Sequence, residues 1–173
     1  MHAQSAAPSA QPGGVYVHVP FCKRKCPYCD FYSVADPSLL QSFLDALYEE
    51  IRLTRGALCN VDSIHIGGGT PSLLDPNHIA AVLHAVSHTL TVSAGAELTL
   101  EVNPGTEDGE TLRAYRQAGV NRLSIGVQSF QDHLLEALGR IHCGKTAETA
   151  VALAQAAGFD NIGLDLIFGI PGQ

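Results

Sequence analysis

Five short segments of this chain place apolar residues at every second position, and the stretches between them repeat apolar residues at helical spacing. Val15-Tyr16-Val17-His18-Val19 alternates fully and predicts the first strand. Asp36-Pro37 then supplies a helix start, and Leu39, Leu40, Phe43, Leu44, Leu47 and Ile51 continue on one helical face until Gly56. Ser63-Ile64-His65-Ile66 is the second strand and runs into Gly67-Gly68-Gly69-Thr70-Pro71. A second helix follows Asp75-Pro76 through Ile79, Val82, Leu83 and Val86. The third strand is Glu97 to Pro104, with a helix near Glu107 to Gln117 that Gly119 closes. The fourth is Arg122 to Gln128, followed by helical segments at Asp132–Leu138 and Ala147–Ala157, with Gly158 as the stop; the fifth is Ile162 to Phe168. Strands joined by crossover helices demand a parallel sheet, so the fold class is α/β.

The two faces of that sheet differ. One parity is apolar in strands one, three and four: Val15/Val17/Val19, Leu98/Leu100/Val102, Leu123/Ile125/Val127. It is expected to pack the helices. The other parity carries Tyr16 and His18, then Glu97, Thr99, Glu101 and Asn103, then Ser124, Gly126 and Gln128, with His65, Gly67, Gly163 and Asp165 from the remaining strands. Parallel sheets are normally covered on both faces, so a polar inner face implies a lumen that holds a polar ligand.

The loop leaving the first strand holds three cysteines, Cys22, Cys26 and Cys29, spaced Cys-x3-Cys-x2-Cys. Thiolates bind soft metals. A structural zinc site usually takes four protein ligands, whereas three thiolates leave one position open, which favours an iron–sulfur cluster with one uncapped iron. A zinc loop completed by His18, Cys59 or Cys143 is the alternative. The chain has five cysteines, an odd number with three crowded into one loop, which fits a reducing cytoplasm better than a disulfide framework. Formal net charge is −7, which argues against general nucleic-acid or anionic-membrane binding. The one basic run, Lys23-Arg24-Lys25, lies within the cysteine loop, where it either is solvated or meets an anionic cluster, an anionic ligand or an acidic electron donor. Residues 1–14 are Ala-, Ser-, Gln-, Pro- and Gly-rich without an apolar core and are expected to be a disordered tail, not a signal peptide. No apolar run approaches the roughly 20 residues that span a bilayer, so no transmembrane segment is expected.

The cysteine spacing, with Tyr28 just before the third cysteine, resembles the cluster loop of radical S-adenosylmethionine (SAM) enzymes. The longer string from Tyr16 through Pro20, Phe21 and Cys22 to Cys29-Asp30-Phe31 resembles the oxygen-independent coproporphyrinogen oxidase-like branch, and within it the HemW-type haem chaperones. The resemblance implies a [4Fe–4S] cluster on Cys22, Cys26 and Cys29, with SAM chelating the fourth iron and yielding a 5′-deoxyadenosyl radical on reduction. It implies an open six-unit parallel (β/α) barrel, of which residues 15–173 read as about five units, so the domain is expected to be incomplete at its C-terminal end.

By the same resemblance Gly68, Gly69 and Thr70 contact the methionyl amino group. The glycine run lacks both the dinucleotide and the Walker spacing, so those readings are rejected. Tyr16 and Tyr28 match aromatic positions beside the methionyl group and adenine. Glu101, Gln128 and Asp165 match strand-end SAM contacts, and Arg140, in Gly139-Arg140-Ile141-His142, matches an arginine near the SAM carboxylate. Each of these four alone could equally make an ordinary structural hydrogen bond; their joint match in order carries the assignment. His142 receives no role, and Cys59 and Cys143 read as bystander thiols. The implied cargo or substrate is haem or a porphyrinogen, and the implied electron source a reductant such as flavodoxin or ferredoxin. Two functions stay open, haem delivery and oxidative decarboxylation of coproporphyrinogen III. The decarboxylating members carry a further cysteine two positions after the third, where this chain has Phe31.

Overall fold

The computed structural model describes residues 12–56 and 60–173. Most of the expected tail and Cys59 lie outside the described residues. Five strands form one sheet in the order β1-β2-β3-β4-β5, every neighbouring pair parallel: β1 Gly13–Val19, β2 Val61–Gly68, β3 Val92–Val102, β4 Arg122–Gln128 and β5 Ile162–Leu166. Sequential order without a switch is what successive βα units produce when each new strand is laid beside the last. Five helices cross between them: α1 Leu40–Leu53, α2 Pro76–Thr89, α3 Gly109–Gln117, α4 Asp132–Ala137 and α5 Gly144–Ala156.

Helix starts follow the expected chemistry. The Asp36 carboxylate accepts from the Ser38 amide, and one short 3-10 turn, Pro37–Leu39, precedes α1. Asp75 caps α2 by accepting from the Asn77 amide, with Pro76 in its first turn. Asp108 caps α3 through the Thr111 amide, so that helix begins at Gly109 instead of Glu107.

The strands run longer than alternation shows. β1 starts at Gly13, where its amide bonds the Asn60 carbonyl, two residues inside the expected tail. β3 starts at Val92, because Val92 pairs with Val61 before a register shift and the Ser93-Ala94-Gly95-Ala96 segment has too little apolar contrast to read as a strand. β5 ends at Leu166, before Phe168.

The apolar parity forms the core as expected. Val17, Val19, Ile64, Ile66, Leu100, Val102, Leu123, Ile125 and Val127 are all buried beneath α1, α2, α3 and α5, with Leu44, Ile79, Val82, Val86, Leu112 and Ala154 facing them. On β5 the same parity is uncovered, and Leu164 and Leu166 remain exposed at the sheet edge.

Tyr115 on α3 reaches past the core to the chain following the glycine run. Its fully buried hydroxyl lies 3.2 Å from the Ser72 carbonyl and 3.0 Å from the Leu74 carbonyl. Burial, then the charges of Glu107 and Asp75, push the phenol well above its usual range, so it stays a donor. Tyr115→Phe leaves two carbonyls without their donor and is expected to destabilise the chain by about 1–3 kcal/mol, read from the midpoint of urea unfolding. An unchanged midpoint would mean these carbonyls are satisfied without the hydroxyl.

Candidate cluster and cofactor site

The cysteine loop hangs from a closed neck. Phe21 bridges to Val34, the Cys22 amide bonds the Val34 carbonyl at 3.0 Å, and the Val34 amide bonds the Pro20 carbonyl at 2.7 Å. The buried Phe21 ring meets Phe43 of α1 edge-on, which ties this neck to the core. Inside the loop a turn from the Cys26 carbonyl to the Cys29 amide, at 3.0 Å, brings the second and third thiols round. Cys22, Cys26 and Cys29 are free, partly exposed thiols lining one cavity of about 400 Å³.

The glycine run lies directly against this loop. The Gly69 amide bonds the Val19 carbonyl at 2.8 Å and the Thr70 amide bonds the Phe21 carbonyl at 2.7 Å. A Cβ on Gly69 would sit 2.6 Å from the Phe21 oxygen and 2.9 Å from Cys22 Sγ, closer than any side chain tolerates. Gly68 has φ +116°, in the left-handed region that favours glycine, and a Cβ there would strike the His18 ring.

Of the twelve residues singled out from sequence, eleven line the same cavity: the three cysteines, Tyr28, Gly68, Gly69, Thr70, Glu101, Gln128, Arg140 and Asp165. Tyr16 does not line it. Its ring lies 5.7 Å from that of His65, and His65 Nε2 stands 2.8 Å from Glu101 Oε1, so Tyr16 is linked to the cavity through two other side chains. Its hydroxyl is 3.2 Å from His18 Nδ1, and His18 Nε2 is 2.9 Å from the Tyr32 carbonyl. A carbonyl only accepts, so His18 donates from Nε2 to Tyr32. Burial, then the Glu101 charge, raise the Tyr16 phenol above its ordinary value.

Glu101 is held at both oxygens, by His65 and by the Gly68 amide at 3.1 Å. The absent Cβ of Gly67 admits it, since that atom would lie 2.6 Å from Oε1. Asp165 accepts the Ser124 hydroxyl at 3.1 Å. Gln128 ends β4 with φ +65°, a left-handed conformation uncommon for a residue with a side chain, and the register of β4 against β5 shifts between Ile125 and Gln128. The carbonyls near that shift are taken by the Gly139–His142 segment: Arg140 Nη2 donates to Gly126 at 2.9 Å and His142 Nε2 to Val127 at 3.0 Å. Arg140 also donates to Asn103 Oδ1 at 2.5 Å, and Nη1 lies 3.7 Å from Cys26 Sγ and 3.5 Å from the Tyr28 hydroxyl. Asn103 in turn donates to Thr70 Oγ1 at 3.0 Å.

His65, Asn103 and Ser124 are thus part of the site, although sequence placed them only on the polar parity. His142, without a role from sequence, anchors the arginine segment. Cys143 precedes α5, with its exposed thiol 3.2 Å from the Thr146 hydroxyl and away from the cavity. His18 is engaged with Tyr16 and Tyr32, so neither it nor Cys143 stands ready to complete a zinc site.

The Radical SAM superfamily model matches residues 16–173, and the chain belongs to that superfamily. Among curated proteins it is 42% identical over 168 residues to the heme chaperone HemW of Escherichia coli, covering 94% of this chain and 44% of that protein. It is 40% identical over 174 residues to the mitochondrial radical S-adenosyl methionine domain-containing protein 1 of Bos taurus, covering 98% of this chain and 39% of that protein. Among solved structures, coproporphyrinogen III oxidase (HemN) from Escherichia coli superposes with a TM-score of 0.83 at 31% identity, covering 95% of this chain and 39% of that one. The chain therefore spans less than half the length of these relatives. The five parallel strands and their crossover helices match the radical SAM fold as an open, partial barrel.

Superfamily membership implies a [4Fe–4S] cluster and SAM, and the donor set fits both. Three free thiols share one wall, the glycines remove the atoms that would fill the approach to Cys22, and the cavity volume suits a small-molecule cofactor.

Burial, opposed by the Val127 bond and joined by the Arg140 charge, holds the His142 imidazole below its ordinary 6.5. Below that value an unfolded chain takes up a proton that the folded ring refuses, so this contribution to stability is complete above 6.5 and is lost as pH falls toward the depressed folded value. His142→Gln keeps a donor for Val127 without titrating. Its urea midpoint is expected to drop less than the parent's between about pH 7.5 and about pH 5.5; equal drops would remove His142 as a source of acid sensitivity.

Proposed function

We propose that this chain is the cluster- and SAM-binding part of a haem chaperone. The observation that carries the reading is the convergence of three cysteines, the glycine run, Glu101, Gln128, Arg140 and Asp165 on one cavity. In this reading Cys22, Cys26 and Cys29 hold the cluster, and the bound group supplies one-electron reduction of a sulfonium. The chain's own residues bind and orient. Gly68, Gly69 and Thr70 receive the methionyl amino group, Tyr28 lies against adenine, Glu101, Gln128 and Asp165 take the polar groups of SAM, and Arg140 takes its carboxylate. Tyr16 acts at one remove, by packing on His65, which orients Glu101.

Haem enters through similarity to HemW proteins at higher identity than to HemN, and through Phe31. That residue is exposed, lines the cavity, and stands where decarboxylating members have a fourth loop cysteine. A phenyl ring cannot supply thiol ligation or redox chemistry. Haem as cargo, a flavodoxin- or ferredoxin-like reductant and a cytoplasmic location belong to this reading. Among the described residues no helix is long and apolar enough to cross a membrane. The second reading, coproporphyrinogen III oxidation, is favoured by the HemN superposition alone.

Anaerobic reconstitution is expected to load about four irons and four sulfides per chain, with Cys22→Ala, Cys26→Ala or Cys29→Ala abolishing uptake and Cys59→Ala or Cys143→Ala leaving it intact. Iron and sulfide analysis decides it, and equal loss in Cys143→Ala would overturn the three-ligand set. Glu101→Ala is expected to weaken SAM binding to loaded protein by about 1–3 kcal/mol without removing iron, measured by calorimetry. The branch is tested on the full-length protein under anaerobic, reducing conditions with SAM. Haem binding without loss of carboxyl groups from coproporphyrinogen III is expected, and SAM-dependent decarboxylation seen by mass spectrometry would overturn the chaperone reading.

A further inference from the structure

We propose that Asn103 is a positioning residue that directs hydrogen bonds onto two of the three cluster thiolates and so sets the cluster's reduction potential. This rests on the cluster reading above and adds a residue and a property to it. Arg140 Nη2 is only a donor, so the Asn103 atom 2.5 Å away is the amide oxygen, and the amide nitrogen must face Thr70 Oγ1 at 3.0 Å. Thr70 Oγ1 therefore accepts. Its single proton is left for Cys22 Sγ, 3.7 Å away, a separation that suits the larger radius of sulfur. On the other side Arg140, held by Asn103 and by the Gly126 carbonyl at 2.9 Å, extends Nη1 to within 3.7 Å of Cys26 Sγ. One amide thus fixes both the direction of a hydroxyl proton and the aim of a guanidinium.

Space around the amide is reserved for it. A Cβ on Gly126 would come within 2.9 Å of Asn103 Oδ1 and 3.2 Å of Gln128 Nε2. Thiolates accept more strongly than thiols, and hydrogen bonds to cluster sulfurs stabilise the added electron, raising the potential. Losing either donor should therefore make the cluster harder to reduce.

The test is an anaerobic redox titration of the reconstituted chain, following the reduced-cluster signal by electron paramagnetic resonance, with iron and sulfide counted in each variant. Asn103→Leu and Thr70→Val, each close in shape and without the hydrogen bond, are expected to shift the midpoint to more negative potential. Thr70→Ser, which keeps the hydroxyl, is expected to stay at the parent value. The double variant Asn103→Leu/Thr70→Val should shift by less than the sum of its parts, because both break one relay. Gly126→Ala removes no polar group and presses hardest on the Asn103 amide, with Gln128 next, so it too should shift the midpoint negative, and it carries the test should Asn103→Leu fail to take up iron. Fully loaded Thr70→Val and Gly126→Ala at the parent potential would overturn the proposal. A parent chain that binds no four-iron cluster would overturn the cluster reading and this inference with it, and iron analysis tells the two failures apart.

Discussion

The site depends on one close approach, that of the Gly69 backbone to the base of the cysteine loop. The Gly69 and Thr70 amides bond the Val19 and Phe21 carbonyls, and the space a side chain would fill is occupied by the Phe21 oxygen and the Cys22 sulfur. These bonds continue the β1–β2 ladder one step past the strands, so the loop leaving β1 and the loop leaving β2 share a wall. Anything larger than hydrogen at position 69 would part them. Cys22 would then lose its fixed distance from Thr70, and Thr70 its place beneath Asn103. The buried Tyr115 hydroxyl holds the next residues of this segment from the opposite side, and the glycine run is gripped between the core and the cysteine loop.

Much of this was legible because it rests on local periodicity. Alternation located all five strands, the Asp-Pro pairs marked two helix starts, and the parity rule separated Leu98, Leu100 and Val102, which are buried or partly buried under helices, from Glu101 and Asn103, which face the cavity. Strand length was less legible. Gly13 and Val92 join the sheet through backbone pairing, to which their side chains contribute no pattern. Pairings across strands were not legible at all. His65 meets Glu101 because β2 and β3 are in the register Ile64 to Leu98, and Asn103 meets Arg140 because Gln128 adopts a left-handed turn that frees the Gly126 and Val127 carbonyls for the following segment. Neither register nor a positive φ at glutamine leaves a mark in composition. Tyr16 shows the same limit. Its parity is right, yet its ring lies on His65, and the cavity begins beyond Glu101.

The charges around the cavity are divided by element, and the division follows from the fold. Cations come from the cysteine loop and the segment after α4, as Arg24, Lys25 and Arg140; carboxylates come from the ends of β3 and β5, as Glu101 and Asp165. A partly buried carboxylate such as Glu101 is stable only when donors meet it, whereas Asp165 lies exposed on the edge strand. Glu101 has His65 and the Gly68 amide, and Asp165 has the Ser124 hydroxyl. A loop can place cations against solvent at little cost. In a protein whose net charge is −7, Arg24 and Lys25 of the basic run, with Arg140, therefore make a wall that favours an anionic cluster or a ligand carboxylate, and Glu101 and Asp165 make one that favours a cationic ligand group. A molecule that carries a carboxylate together with cationic groups, as SAM does, suits both walls at once. A neutral ligand would have to desolvate both walls without compensation. This polarity across the cavity is a reason, independent of any likeness to other proteins, to expect the cysteine loop and the strand ends to act on the same molecule.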